Sequence, residues 1–397
     1  MNDSIRSLSR GLILLLAVVS ALGPIAMQIL LPAIPIIKNS FAVSTGVAQL
    51  TLSLSMAAIA IATLVYGPLS DRYGRKPVLM SGIAITIVGS LACVMAPSIS
   101  LLIAGRILQA AGGAVGLVVA RAIVRDVYDA RESASVIATL VMVMVVMPML
   151  SPAVGGELMV RFDWHAVFWL VAALALLMLV LLAGHLPETL HTVVPFSGVK
   201  DLLGTYATLL RDRIFRGYGL CVAFVSMVFF SFISAAPEIM VSVLKRPATE
   251  YGYYFISVPL GFMAGNYLTR HFGQRVGLHR MIDYGSRIAI AGILLAMGLH
   301  VAGLHHPAAL FFPIALAIFG NGITLPNAQA GAINAAPRLA GSASGLTGFM
   351  QMGFSALAAQ AVALIFNGTV YPMLGLMLAG SILSLLSFRL LVPKGHE

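Results

Sequence analysis

The chain has 397 residues, 59% of them hydrophobic and only 10% charged, and its mean hydropathy is +0.98. That balance excludes a soluble domain with a polar surface. The formal net charge of +10 is not gathered into a basic patch interleaved with aromatics, which excludes a nucleic-acid binder.

A membrane-crossing helix needs roughly 20 mainly apolar residues, and the apolar runs predict an all-α membrane protein of twelve transmembrane helices. Six fall at 11–33, 46–67, 78–97, 100–124, 133–157 and 164–185, and six more at 214–238, 250–270, 278–302, 307–332, 342–366 and 370–391. The first run starts basic but lacks a small-residue cleavage site, so it reads as a retained helix. Basic residues alternate by loop: Arg72, Arg75, Lys76, Arg121, Arg125, Arg211, Arg213, Arg216 and Arg280 lie on one side, against Lys38, Arg161, Lys245 and Arg246 on the other. The asymmetry predicts a multi-pass membrane protein with both termini cytoplasmic. Cys93 and Cys221 both fall within spans and read as small apolar residues, not as a disulfide or metal framework.

The longest polar interruption divides the chain into an N-terminal six-helix half (1–185), a cytoplasmic linker (186–213) and a C-terminal six-helix half (214–397). Two echoes support a duplication of pseudo-symmetric halves. Asp71-Arg-Tyr-Gly-Arg-Lys76 matches Arg270-His-Phe-Gly-Gln-Arg275, and Ser133-Ala-Ser135 matches Ser342-Ala-Ser344. Duplicated halves are characteristic of secondary transporters.

The segment Gly67-Pro-Leu-Ser-Asp-Arg-Tyr-Gly-Arg-Lys-Pro-Val78 must reverse the chain between two helices, with Gly74 supplying backbone freedom and Pro68 and Pro77 punctuating the turn. Asp71 adds nothing to orientation there. A carboxylate does suit the positive end of a neighbouring helix. Arg106 sits inside an apolar run beside Gln109, Gly112 and Gly113, and a charge at bilayer depth is rarely retained without a function. In the fifth span, Pro148, Pro152, Gly155 and Gly156 predict a bend and close helix packing. Glu157 with Arg161, and Asp283 with Arg287, are spaced as ordinary helical neighbours. Glu238 follows Pro237 near the end of the seventh span, and His305 and His306 read as solvated loop residues.

These segments together resemble the major facilitator superfamily over essentially the full length, and in particular its drug:proton antiporter branch. The resemblance implies that Asp71 caps the eleventh helix near Gly341-Ser342, that Arg75 pairs with Asp126, and that together they latch the two halves on the inner side. The fifth span is similar to that branch's antiporter motif, with Ser151 where a Gly is usual. Its paired prolines resemble the Bcr/CflA (bicyclomycin and chloramphenicol resistance) subgroup. That subgroup usually carries an acid in the first helix, four positions before the Pro of a Leu-Pro-Ala-x-Pro end. Here Leu31-Pro-Ala-Ile-Pro35 is present but the residue is Gln28. In the family's architecture the first, fourth, seventh and tenth helices line a central cavity. The implied pathway residues are Gln28, Arg106, Gln109, Phe230, Ser234, Asn321, Thr324 and Asn327, with Met142 and Met147 as adaptable apolar contacts.

The expected function is a secondary active transporter that exports small amphipathic compounds by alternating access, coupled to protons. Alternatives are an exporter of an endogenous metabolite, such as a siderophore or amino-acid derivative, and a transport-dead membrane sensor. No segment supplies a nucleophile with its base, metal ligands, or a phosphate-cradling loop, so an enzyme or an ATP-driven pump is not expected. The expected partners are a small-molecule substrate, the proton and the lipid bilayer, with no cofactor and a monomeric chain. Because Arg106 lacks a carboxylate at position 28, neutral, zwitterionic or anionic compounds are expected as cargo rather than lipophilic monocations.

Overall fold

The computed structural model describes residues 8–128, 130–190 and 199–393, and every regular element in them is helical. The middle of the predicted linker, 191–198, lies outside the described residues, as do the side chains of Ser133, Ala134 and Ser135. The chain forms two compact units, Met1–Phe196 and Ser197–Glu397.

The first unit contains α1 (Arg10–Gln28), α2 (Ile34–Ser40), α3 (Thr45–Tyr73), α4 (Arg75–Val94), α5 (Ile99–Gly113), α6 (Val115–Val127), α7 (Ala130–Arg161) and α8 (Ala166–His185). The second contains α9 (Val199–Arg211), α10 (Arg213–Ser242), α11 (Ala248–Phe255), α12 (Ser257–Val276), α13 (Leu278–Val301), α14 (Pro307–Asn334), α15 (Ala340–Leu364) and α16 (Tyr371–Leu391). Side-chain caps mark several starts. Ser9 Oγ accepts from the Leu12 amide at 3.2 Å and Asp212 Oδ1 from that of Phe215 at 2.7 Å, each satisfying a donor that the first helical turn leaves free.

Against the twelve predicted crossings, ten helical segments among the described residues are long and apolar enough to span a membrane. The other two predicted spans, 250–270 and 342–366, hold α11 with α12, and α15. Pro259 has no N–H for the Phe255 carbonyl and crowds it, so the eighth predicted span breaks at Ile256. Arg270, His271, Gln274 and Arg275 then make the last turns of α12 polar. The first predicted span likewise ends early: α1 stops at Gln28, and Pro32 and Pro35 start a short 3-10 turn and α2. The fourth splits into α5 and α6 at Ala114, directly after Gly112 and Gly113. The helix α7, by contrast, runs unbroken through Pro148 and Pro152.

The two interhelix turns share one backbone solution. Gly74 between α3 and α4 has φ 100 and ψ 152, and Gly277 between α12 and α13 has φ 86 and ψ 150. The sequence pairing of Gly74 with Gly273 is therefore displaced by one helical turn, because Gly273 lies inside α12. The corrected register sets Arg75 against Leu278, so the second turn lacks the guanidinium of the first.

Candidate functional site

Arg106 lies on α5 and is 1% exposed, the largest fully buried side chain described. Its Nε donates to the Thr51 carbonyl on α3 at 3.4 Å and its Nη1 to the Ala26 carbonyl on α1 at 3.0 Å. Nη1 also donates to Gln109 Oε1, one turn further along α5. Gln109 passes the order on, since its Nε2 donates to Ser90 Oγ on α4 at 2.8 Å, and Ser90 donates to the Thr86 carbonyl at 2.7 Å. A buried charge with only neutral acceptors is costly unless something else meets it. Among the described residues of its own unit, no carboxylate pairs with Arg106, and its Nη2 has no hydrogen-bond partner.

Two further orphans stand on the helices that hold it. Gln28 Oε1, two residues after Ala26, and Gln49 Nε2, two residues before Thr51, are buried without partners. Sequence reasoning selected Gln28 but missed Gln49. Its signal was a lone amide in a span whose other polar residues are hydroxyls. Gly155 on α7 supports the same region: a Cβ there would lie 2.2 Å from the Ile29 carbonyl oxygen, so α7 approaches the end of α1 without room for a side chain. Met142 and Met147 sit on exposed faces of α7, and Pro152 and Ser151 are buried. A cavity of about 710 Å³ lies between α3, α4 and α5, lined by Val65, Tyr66, Ser81 and Ile107 among others. It includes neither Arg106 nor Gln109.

The turn at Gly74 carries a second polar network. Arg75 is 8% exposed. Its Nε donates to Asp126 Oδ2 at 2.8 Å, and its Nη1 to Ser70 Oγ at 2.7 Å and to Asp71 Oδ1 at 2.5 Å. Behind it stands Glu188, which follows α8 and was missed at the level of sequence. Glu188 Oε1 accepts from the amides of Arg75 (2.9 Å), Thr189 (3.0 Å) and Leu190 (3.0 Å), and Oε2 from that of Lys76 (3.2 Å). Partial burial raises the energy of the charged carboxylate, but these backbone donors outweigh it and hold the Glu188 carboxyl below its ordinary value. Thr189 Oγ1 donates to Asp126 at 3.4 Å, and Lys76 Nζ to the Ala183 carbonyl at 2.9 Å. Its partners are main-chain amides distant in sequence, which leave no signal in the residues around it.

In the second unit Asn321, Thr324 and Asn327 take different hydrogen-bond partners. Asn321 Nδ2 donates to the Val225 carbonyl on α10 at 3.4 Å, whereas Asn327 Nδ2 donates to the Ile323 carbonyl at 2.7 Å and reaches Thr269 on α12 at 3.5 Å. Thr324 turns back to the Gly320 carbonyl of its own helix at 3.1 Å. Ser234 donates to the Ala359 carbonyl on α15 at 3.1 Å, and Phe230 packs edge-on to Phe229. The acids also separate. Glu157 is half-exposed and 3.8 Å from Arg161. Asp283 is held by Arg287 at 2.9 Å and by Arg389 on α16, a cross-helix partner that the i, i+4 spacing does not reveal. Glu238 is 7% exposed.

Residues 16–360 match the family model described as Major Facilitator Superfamily. The chain belongs to the Major Facilitator Superfamily. Its relatives in that superfamily include an uncharacterized MFS-type transporter, YdgK, of Bacillus subtilis, 30% identical over 95% of this chain and 94% of that protein. The multidrug resistance protein MdtL of Escherichia coli is 28% identical, covering 97% and 96%. The bicyclomycin resistance protein homolog of Haemophilus influenzae is 27% identical, covering 96% of each. Among solved structures, a bacterial homolog of the human lysosomal transporter Spinster aligns with a TM-score of 0.74 at 17% identity, over 99% of this chain and 96% of that one. The human organic anion transporter MFSD10 aligns at 0.68 and 19%, over 96% and 99%. The superfamily and these folds make the chain an all-α, multi-pass membrane protein and a secondary transporter of small molecules, a non-catalytic role.

Proposed function

We propose that the chain exports small amphipathic compounds by alternating access of its two units, as a twelve-crossing, proton-coupled member of the Bcr/CflA-type drug exporters. The observation that carries the reading is Arg106. It is a fully buried guanidinium fixed by carbonyls of α1 and α3, with one nitrogen unpartnered and, among the described residues of its unit, no carboxylate paired with it. Such a group is held ready for an acceptor on a passing ligand, because a buried charge is stabilised most by the partner that arrives with one. Gln28 and Gln109 belong to the same pathway, with Asn321, Thr324 and Asn327 contributing from the other unit. The names of two relatives, multidrug resistance protein and bicyclomycin resistance protein homolog, support the direction of transport.

The turn network is the second part of the proposal. Asp71, Arg75 and Asp126 latch the cytoplasmic side, and α7, through the close approach of Gly155 to Ile29 and with Pro148, Pro152 and Gly156 beside it, keeps the pathway from leaking. The chain works as a monomer in the bacterial inner membrane with both termini cytoplasmic. The test is resistance profiling in a pump-deficient host: wild type raises tolerance to a subset of compounds, and Arg106→Ala loses it at equal membrane abundance. Tolerance retained in full by Arg106→Ala would remove Arg106 from the pathway.

A further inference from the structure

We propose that Glu188 is a positioning residue of the transport cycle: it fixes the backbone of Arg75 from the far side, so that the guanidinium is presented to Asp71 and Asp126 together. The inference rests on the reading of that turn as a latch, and three independent observations carry it.

The first is the division of labour around Arg75. Its side chain is shared by Ser70, Asp71 and Asp126, while its amide, and that of Lys76, are bound by the two oxygens of Glu188. Those amides open α4, where the helix leaves donors unsatisfied and its dipole favours an anion. No side chain within the turn caps them; the carboxylate comes from 112 and 113 residues away.

The second is the seat made for the carboxylate. A Cβ on Gly74 would lie 2.6 Å from Glu188 Oε2, so the glycine serves both its positive φ and the room that Glu188 occupies. The third is the bracing of the segment itself. Glu188 also accepts from the amides of Thr189 and Leu190, Thr189 is fully buried and donates to Asp126, and Lys76 Nζ is tied to the Ala183 carbonyl at the end of α8. The residues after α8 thus touch the turn through its backbone, its lysine and its acid. Any displacement of α8 against α4 is transmitted to Arg75.

The experiment uses the full-length protein in nanodiscs. Site-resolved hydrogen exchange reads the Arg75 and Lys76 amides, and spin labels on Gly184→Cys and Leu390→Cys read the populations of the transport cycle. Cys93 and Cys221 are buried and leave the background clean. In Glu188→Ala the two amides should exchange about tenfold faster or more, with Glu188→Gln between, since one of its atoms becomes a donor facing a donor. The mid-helix amides of Leu79 and Ile83 should not change. Populations should shift as they do in Arg75→Ala, and the double variant should shift no further, which a merely structural cap would not produce. Unchanged exchange, or additive population shifts, would overturn the proposal. If Glu188→Ala does not fold, Glu188→Gln carries both readouts. If Arg75→Ala itself leaves the populations unmoved, the latch reading fails, and the exchange data alone decide whether Glu188 positions Arg75.

Discussion

Gly155→Ala isolates one contact that the account depends on. The added Cβ would sit 2.2 Å from the Ile29 carbonyl oxygen, 3.0 Å from Ile29 Cγ1 and 3.2 Å from the Ile29 carbonyl carbon. Ordinary contact begins about 1.2 Å further out, and two of the three obstructing atoms are backbone, so no rotamer change relieves the clash. Either α7 retreats from α1 or the turn after Gln28 shifts, and overpacking of this kind costs about 1–3 kcal/mol. Gly184→Ala is the matched control, because nothing lies within 4 Å of its Cβ and it closes the last turn of α8. Gly→Ala at such a site stabilises by roughly 0.4–1 kcal/mol. The two variants should therefore melt on opposite sides of wild type when followed in detergent by a thiol-reactive dye, which reads the buried Cys93 and Cys221 as they become exposed. A Gly155→Ala protein that melts with or above wild type would refute the close approach of α7 to α1.

Three further outcomes follow from the networks. Gly74→Ala should destabilise more than Gly155→Ala, since it meets both φ 100 and the Glu188 oxygen, and part of the loss should be recovered in the Gly74→Ala, Glu188→Ala double variant in the same melt. Glu188 accepts from the Arg75 and Lys76 amides at the start of α4, and is linked to Asp126 through Thr189. Its carboxyl is held below its ordinary value, so its contribution to stability is complete above the ordinary carboxyl range, about pH 4.3, and is lost as pH falls through the depressed value. The melting difference between wild type and Glu188→Gln should accordingly be flat from pH 8 to 5 on this scale and shrink below it. Arg389→Ala should cost under about 1 kcal/mol, because Arg389 and Arg287 are both about half-exposed and Asp283 keeps the second partner. A larger loss in urea titration would mean that the α13 to α16 link is the main fastening there.

The helix pattern was legible because apolar runs of membrane length leave few alternatives, and Arg106 was legible because a lone charge in such a run stands out. Breaks inside spans were harder. Pro259 and the Gly112-Gly113 pair are plain in the sequence, yet only packing decides whether a helix bends, splits or, as α7 does at Pro148 and Pro152, continues. The counterpart of Gly74 was misplaced by one turn because Phe272-Gly273 mimics Tyr73-Gly74 in letters, while the backbone places the positive φ at Gly277. Glu188 was not legible at all: its partners lie more than a hundred residues away and are main-chain amides, which leave no mark on composition or spacing. Asn321 and Asn327 stood out for the cost of burying an amide, and Asn327 shows that part of this cost is met locally, since a carbonyl of its own helix accepts from it.

The most direct measurement is drug tolerance in a pump-deficient host expressing wild type, Arg106→Ala and Arg106→Lys at matched membrane abundance, against neutral, zwitterionic, anionic and monocationic compounds. The account predicts that wild type raises tolerance to members of the first three groups and not to lipophilic monocations such as ethidium. Arg106→Ala abolishes the effect, and Arg106→Lys restores little because an ammonium cannot reach the carbonyls of Ala26 and Thr51 together with Gln109. Undiminished tolerance in Arg106→Ala, or protection by the wild type against monocations alone, would contradict it.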